Sequence, residues 1–456
     1  MQVPAKTVQS IWRAFAANAA MILGSRVTFG LLNLATNALA IRVFGLAELG
    51  IVLLLQAYTR IFSDIVKFQS WQAILRFGAA SQERDDTPGL RRLLGFAIGL
   101  DLAAFAVSIA GAVVLIPWAA DWFGWPEDVT DFAPLFVLSI VFITHATPNG
   151  FLRLVDRVDA LAIQFALNAS LRFLLVGASA LAGGGVLELV MAWFAASVIS
   201  GCYVFIVTGR EMIRHHLLPD MRARWTAIGA EHSGIWRFLV MQNVSTGLAL
   251  IVTYGTTVVV GGQIGPAAAA IWEIARQFGG ALTKPAKLLG PLLFPELSRM
   301  AARGDWVAMR SALLRQMAVT ASVLSVVVAV LLFFLPALVT LIFGDQAGAE
   351  AWLFRFVLLG AAVSLCGFLM EPAFLSANKP GTLLLMQIAA ILSFVLVATL
   401  GYPMIGLTAL GLGLLGYHIA QQTLMVVIGR RLLKKRIRRG AARAAQQSGE
   451  DIAPSP

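Results

Sequence analysis

The chain reads as an all-α polytopic membrane protein of about 12 transmembrane helices, arranged as two six-helix bundles around a central cavity. Three observations predict this. Of 456 residues, 59% are hydrophobic and 13% charged, with a mean hydropathy of +0.80. A soluble domain carries about 25% charged residues, so this chain lacks the polar surface to face water all round. Apolar runs long enough to cross ~30 Å of hydrocarbon recur along its whole length. Basic residues, which give a net charge of +11, are confined to alternate connections between those runs.

The runs fall at 17–42, 46–66, 92–117, 132–152, 160–182, 186–208, 236–260, 266–286, 312–343, 351–375, 381–400 and 404–428. Only Lys6 and Arg13 precede the first run and no small-residue cleavage site follows a short apolar core, so the first helix is expected to be retained. With the N-terminus in the cytoplasm, all of the 35 lysines and arginines except Arg26, Arg42, Arg172 and Arg355 fall on the cytoplasmic side. The opposite connections are short and carry acid or no charge, as in LAGGGVLE and GGQIGP. Both termini are therefore expected in the cytoplasm. Trp118, Trp122, Trp125 and Trp352 mark the outer interface, and Trp12, Trp71, Trp225, Trp236 and Trp306 the inner one. Trp193 and Trp272 fit neither belt, and both core packing and a platform for a sugar ring remain open. Cys202 and Cys366 lie inside apolar runs and read as small core residues.

The polar connection Gly209–Ser233 divides the chain into an N-terminal bundle (1–208), a cytoplasmic loop (209–235), a C-terminal bundle (236–428) and a tail (429–456). Phe44-Gly45 and Ile264-Gly265 echo one another after the first helix of each half, a hint of internal symmetry, which in transporters places substrate between the halves. The tail begins RRLLKKRIRRG, expected on anionic lipid heads, and its last dozen residues read as disordered. Nucleic-acid binding is not expected from basic residues distributed in this way.

Chemistry is expected where charge sits at membrane depth, since charge is costly there. In Ile271–Met300, Glu273, Arg276, Gln277 and Lys284 share one helical face, followed by a segment, Pro291–Arg299, expected to be broken by proline. Arg26, Asn33 and Asn37 share a face of the first helix, and Gln164, Asn168 and Arg172 a face of the fifth. Gln242, Asn243 and Tyr254 lie on the seventh, and Tyr417, His418, Gln421 and Gln422 on the twelfth. Guanidinium groups accompanied by amides suit a water-filled cavity of positive potential that takes an anion, phosphate above all. The competing reading is that the amides join helices by hydrogen bonds. Asp101 and Arg355 fit interhelical, snorkelling or coupling roles equally, and Glu371-Pro372 is expected to break the tenth helix.

No nucleotide-binding glycine loop is present, and His145, His215, His216, His232 and His418 lack metal-ligand spacing. The outer loops are too short for the acidic catalytic groups of a lipid-handling glycosyltransferase. We expect neither enzyme activity nor a cofactor or metal.

Four short stretches carry a resemblance: Phe44-Gly45-Leu46-Ala47-Glu48-Leu49-Gly50, the eighth-helix Arg276, Leu293-Phe294-Pro295-Glu296-Leu297-Ser298-Arg299, and Ser376-Ala377-Asn378-Lys379. With the six-plus-six layout, they make the chain similar to the polysaccharide transporter (oligosaccharide flippase) family of the multidrug/oligosaccharidyl-lipid/polysaccharide flippase superfamily. The resemblance implies a bacterial inner-membrane protein that moves polyprenyl-pyrophosphate-linked oligosaccharide outward by alternating access, for O-antigen, capsule or exopolysaccharide synthesis. Membrane lipids, the lipid-linked glycan and glycan polymerases or glycosyltransferases are the partners it implies. It also implies pyrophosphate contacts at Arg26 and Arg276, because arginines at comparable places matter in lipid II-flipping relatives. The chain lacks the two extra C-terminal helices of those relatives, which argues against lipid II. The candidate substrate-binding set is Arg26, Asn33, Asn37, Asn168, Arg172, Glu273, Arg276 and Gln277, with Lys284 and Arg299 at the cytoplasmic mouth. The alternatives are an ion-coupled exporter of cationic small molecules, as in the multidrug branch, a permease of another twelve-helix fold, and a scaffold that recruits glycan enzymes.

Overall fold

The second to twelfth predicted spans each coincide with a helix, or with two helices separated by a short break. The structure, a computed structural model, describes residues 30–450 apart from 222–227, 230, 233, 349 and 378. Eight of its helices are long and apolar enough to cross a membrane, or nine when one bent pair is taken as a span. All regular structure among the described residues is helical. The chain divides into two compact units, Met1–Ile271 and Trp272–Pro456.

In the first unit, residues 30–43 form α1, the end of the first predicted span. The chain turns at Gly45, whose φ of +109° suits only glycine, and enters α2 (Leu46–Val66). Gly265 stands at the corresponding place with φ +119°. The sequence echo between Phe44-Gly45 and Ile264-Gly265 is therefore also an echo in backbone conformation. Gly50 lets α2 touch the later turn closely, because a Cβ there would lie 2.0 Å from the Pro266 carbonyl oxygen.

The Asp86 carboxylate caps α3 (Thr87–Phe123) by accepting from the Gly89 amide at 2.8 Å, and Gly124 closes it in the left-handed region. The fourth predicted run is bent by 53° within Glu127–Leu154. It consists of α4 (Glu127–Val137), a short helical segment Ser139–Ile143, and α5 (Ala146–Leu154). Next come α6 (Val158–Leu181) and α7 (Val186–Arg214), the latter opened by Glu188 accepting from the Gly185 amide at 2.7 Å. The seventh span is α8 (Ile235–Leu250) and α9 (Thr256–Gln263), joined by a π turn at Ile251–Gly255. Ile74, Leu93, Phe96, Phe151, Leu152 and Leu239 pack together as a buried core within this unit.

The helix α10 (Pro266–Arg303) carries the chain into the second unit. It corrects one expectation, since it runs unbroken across Pro291 and Pro295. Each proline removes one amide donor, but the remaining ladder keeps the helix together, a tolerance common in membrane helices. Asp305 caps α11 (Trp306–Phe343), accepting from the Ala308 amide at 3.0 Å. At 38 residues, α11 is about 57 Å long, far longer than ~30 Å of hydrocarbon. The tenth span breaks at Gly367–Leu369, just ahead of Glu371-Pro372, between α12 (Ala351–Cys366) and α13 (Met370–Ser376).

Two last helices complete the unit, α14 (Pro380–Ile405) and α15 (Thr408–Glu450). The basic part of α15 packs Leu432, Leu433 and Ile437 against a core that includes Trp306 and Met309. Only 22% of the apolar windows of α11 and α14 are buried, against 61% for α2. Exposed Phe333, Leu385 and Leu392 on those helices would be a liability in water and suit a lipid face.

Candidate functional site

The first unit brings three of the predicted amide and arginine positions to one locus. Gln164, Asn168 and Arg172 follow one another at single-turn spacing along α6, all buried. Arg172 Nη1 donates to Asn33 Oδ1 on α1 at 3.3 Å, and the guanidinium carbon stacks 4.9 Å from the centroid of the Trp193 ring on α7. One turn away, Asn168 Nδ2 donates to Ser200 Oγ at 2.9 Å and to the Ala196 carbonyl at 3.3 Å. Asn168 thus joins α6 to α7, as the hydrogen-bonding reading of the amides expects. Asn37 is buried on α1. Arg26 lies outside the described residues, as do the side chains of Gln242 and Lys284.

Among the described residues no carboxylate lies within ion-pair distance of Arg172. Residues 1–29 contain no aspartate or glutamate, and the acids whose side chains are not described are Glu450 and Asp451 in the tail. An uncompensated guanidinium inside a membrane bundle is expensive, and it creates a positive potential that favours an anion.

The second unit treats its arginine differently. Arg276 on α10 makes a two-pronged ion pair with Glu273, Nε to Oε2 at 3.0 Å and Nη2 to Oε1 at 2.7 Å. Gln277 Nε2 donates to the same carboxylate at 3.2 Å. These three residues occupy the half-exposed side of α10, whereas Trp272, Ile274 and Ala275 are fully buried. Both unassigned tryptophans, Trp193 and Trp272, are packed in the core. At the far end of α10, Arg299 pairs with Glu296 at 2.9 Å on the surface, a contact worth less than about 1 kcal/mol.

Sequence reasoning placed Arg60 and Lys67 in a cytoplasmic segment and left Asp101 unassigned. The structure gives Asp101 a definite task. Its carboxylate accepts from Ser70 Oγ at 2.7 Å and from the Thr147 amide at 2.8 Å. Each partner opens a helix after a break, Ser70–Ala73 after the left-handed Gln69 and α5 after His145. Asp101 therefore satisfies a backbone amide at the start of α5 and, through the Ser70 side chain, ties the start of Ser70–Ala73 to it. Lys67 pairs with Asp64 at 3.9 Å beside it. Arg355 lies over the Trp352 ring at 4.5 Å, a cation–π contact. Below the membrane span, Arg157 is held between Asp159 and the buried Glu211, and Asp159 keeps that guanidinium above its ordinary pKa. Arg157 would have been hard to single out, because a basic residue in a short connection carries no further signal.

Comparison with known proteins bears on the family and the fold. The family model for polysaccharide biosynthesis proteins matches residues 15–301. An inner membrane protein of Escherichia coli (strain K12), YghQ, is 30% identical over 305 residues, covering 64% of this chain and 82% of the relative. Among solved structures, an inward-facing multidrug resistance MATE family transporter of the MOP superfamily superposes with a TM-score of 0.71 at 14% identity, covering 92% of this chain and 99% of the other. A MOP superfamily transporter from Pyrococcus furiosus, described as having a binding pocket of reverse polarity, gives 0.63 at 14% identity over 93% and 96%. The Vibrio cholerae MATE transporter VcmN, in a bent form, gives 0.59 at 13% identity over 93% and 99%. The chain belongs to the polysaccharide biosynthesis protein family and is a multi-pass membrane protein with the fold of the MOP-superfamily transporters.

Proposed function

We propose that the protein is a flippase that carries polyprenyl-pyrophosphate-linked oligosaccharide across the bacterial cytoplasmic membrane by alternating access, supplying O-antigen, capsule or exopolysaccharide synthesis. The observation that carries this reading is the excess of cations at membrane depth in a member of a polysaccharide biosynthesis family. Arg172 has no acidic partner among the described residues, and Arg276 is held by Glu273 on the same helix. A pyrophosphate offers several acceptor oxygens and a charge that can take the guanidinium fork from Glu273. In this reading Arg26 and Arg276 contact the pyrophosphate, Asn33 and Gln277 line its path, and the buried Asn37 and Asn168 support the helices behind it. Arg172 contributes positive potential from behind Asn33, Glu273 holds Arg276 between transport events, and Lys284 and Arg299 draw the head group to the cytoplasmic mouth. Both termini face the cytoplasm, and the loop 209–235 links the two halves.

Fold likeness to multidrug transporters supports a second reading, export of small cationic molecules. It needs an acid free to meet the drug. Asp101, the buried acid inside the first unit's spans, has both oxygens engaged. Surface glycan in cells carrying Arg26→Ala or Arg276→Ala separates the readings. Loss of glycan at normal protein level is the expected result, and normal glycan in both variants overturns the site. Drug hypersensitivity of a deletion strain with intact glycan would favour the exporter.

A further inference from the structure

The first unit contains a second feature that a lipid-linked glycan does not explain. Arg172 is 6% exposed and Trp193 1% exposed, so neither presents a surface to a bulky substrate. Yet Arg172 Nε and Trp193 Nε1 are both buried without a hydrogen-bond partner among the described residues. The guanidinium carbon is 4.9 Å from the indole centroid, so the two side chains that carry these donors meet between α6 and α7. Buried donors without acceptors are uncommon, and each calls for a missing partner. The partner must be an acceptor, because both groups only donate. It is expected to be negative, because Arg172 has no carboxylate counter-ion among the described residues. It must also be small, because the locus is enclosed by α1, α6 and α7, with Asn33 on one side and the indole on the other.

We propose that Arg172 and Trp193 hold a small monovalent anion of the halide class, a resident ion distinct from the transported substrate. A single negative charge makes the locus neutral, which removes most of the cost of a buried lone arginine. Each unsatisfied N–H gains an acceptor, while Asn33 Oδ1 keeps its bond to Nη1. The bound ion would fix the approach of α6 to α7 and the position of Asn33 on α1. This proposal does not require that a lipid-linked glycan is moved, and an ion at this locus would leave Arg26 and Arg276 as the cations offered to the pyrophosphate.

The test uses purified full-length protein in detergent, at constant ionic strength, with sodium gluconate replaced stepwise by chloride or bromide. The expected result is a saturable rise in unfolding temperature. Arg172→Met should abolish that rise, while Arg431→Met, a change of an exposed tail cation, should leave it intact. If Arg172→Met does not fold, Trp193→Phe keeps the ring and removes the N–H, and should raise the half-saturating halide concentration about tenfold. A wild-type protein indifferent to halide means that water fills the locus and overturns the proposal. So does an equal halide response in Trp193→Phe and wild type. Parallel titrations with inorganic phosphate and pyrophosphate separate the sources: a response to these with none to halide assigns Arg172 to the substrate head group instead.

Discussion

Replacing Asp101 by alanine removes the acceptor for two helix starts in one step. The carboxylate receives the Ser70 hydroxyl at 2.7 Å and the Thr147 amide at 2.8 Å, at a residue only 8% exposed. A hydrogen bond to a charged group is worth about 1.5–3 kcal/mol, and an abandoned buried donor keeps its desolvation cost. Alanine also relieves the cost of burying the carboxylate, which offsets part of the loss. We expect Asp101→Ala to lower stability by about 2–4 kcal/mol, and Asp101→Asn, which keeps one acceptor oxygen, by roughly half of that. Denaturant unfolding in detergent, followed by helical circular dichroism, reads the difference. Limited proteolysis gives a second measure, because the breaks at Lys67–Gln69 and Thr144–His145 lose the group that ties them together. If Asp101→Ala unfolds with the wild type and is cleaved no faster, the account of Asp101 as the tie between these two helix starts is wrong.

Gly50→Val places a side chain against the Pro266 backbone, where even a Cβ would stand 2.0 Å from the carbonyl oxygen; loss of monodisperse protein in size-exclusion chromatography is expected. Glu273→Gln should leave stability within about 1 kcal/mol, because the pair lies three residues apart on one helix, while altering transport by loosening the hold on Arg276; unchanged flipping in liposomes would show that Glu273 does not restrain the arginine. His232 lies outside the spans, 5.4 Å from the Phe77 ring, and burial pushes its pKa below the usual 6.5, with Glu231 and Asp86 raising it and Arg92 and Arg84 lowering it. The unfolded chain therefore binds a proton at a higher pH than the folded one, so the stability tied to neutral His232 is complete above about pH 6.5 and is lost as pH falls through the folded value. His232→Gln should flatten that part of the pH–stability curve, and an unchanged slope would count against it.

The spans were legible because hydrocarbon thickness imposes a length that apolar runs reproduce, so the second to twelfth runs each meet a helix. Breaks inside spans were not. The run 132–152 holds no charge, and nothing in its pattern marks the 53° bend between Glu127–Val137 and Ser139–Leu154, or the break at Thr144–His145 beside which Asp101, on another helix, receives the Thr147 amide. The reverse error occurred at Pro291 and Pro295, where a local rule predicted a break and the surrounding ladder kept α10 whole. At the candidate site, spacing along one helix placed Asn168 and Arg172 on a common face, and Glu273 with Arg276. Their partners across helices, Ser200 and Trp193, were beyond reach, since one sequence carries no register between α6 and α7.

The claim that a pyrophosphate-linked glycan is moved is tested most directly in liposomes containing the purified protein and a fluorescent polyprenyl-pyrophosphate oligosaccharide, quenched from outside by a membrane-impermeant reductant. The account predicts that wild-type protein makes nearly all of the label accessible, and that Arg276→Ala liposomes stop at the outer-leaflet fraction. Equal quenching with wild-type protein, with Arg276→Ala and with no protein would contradict it.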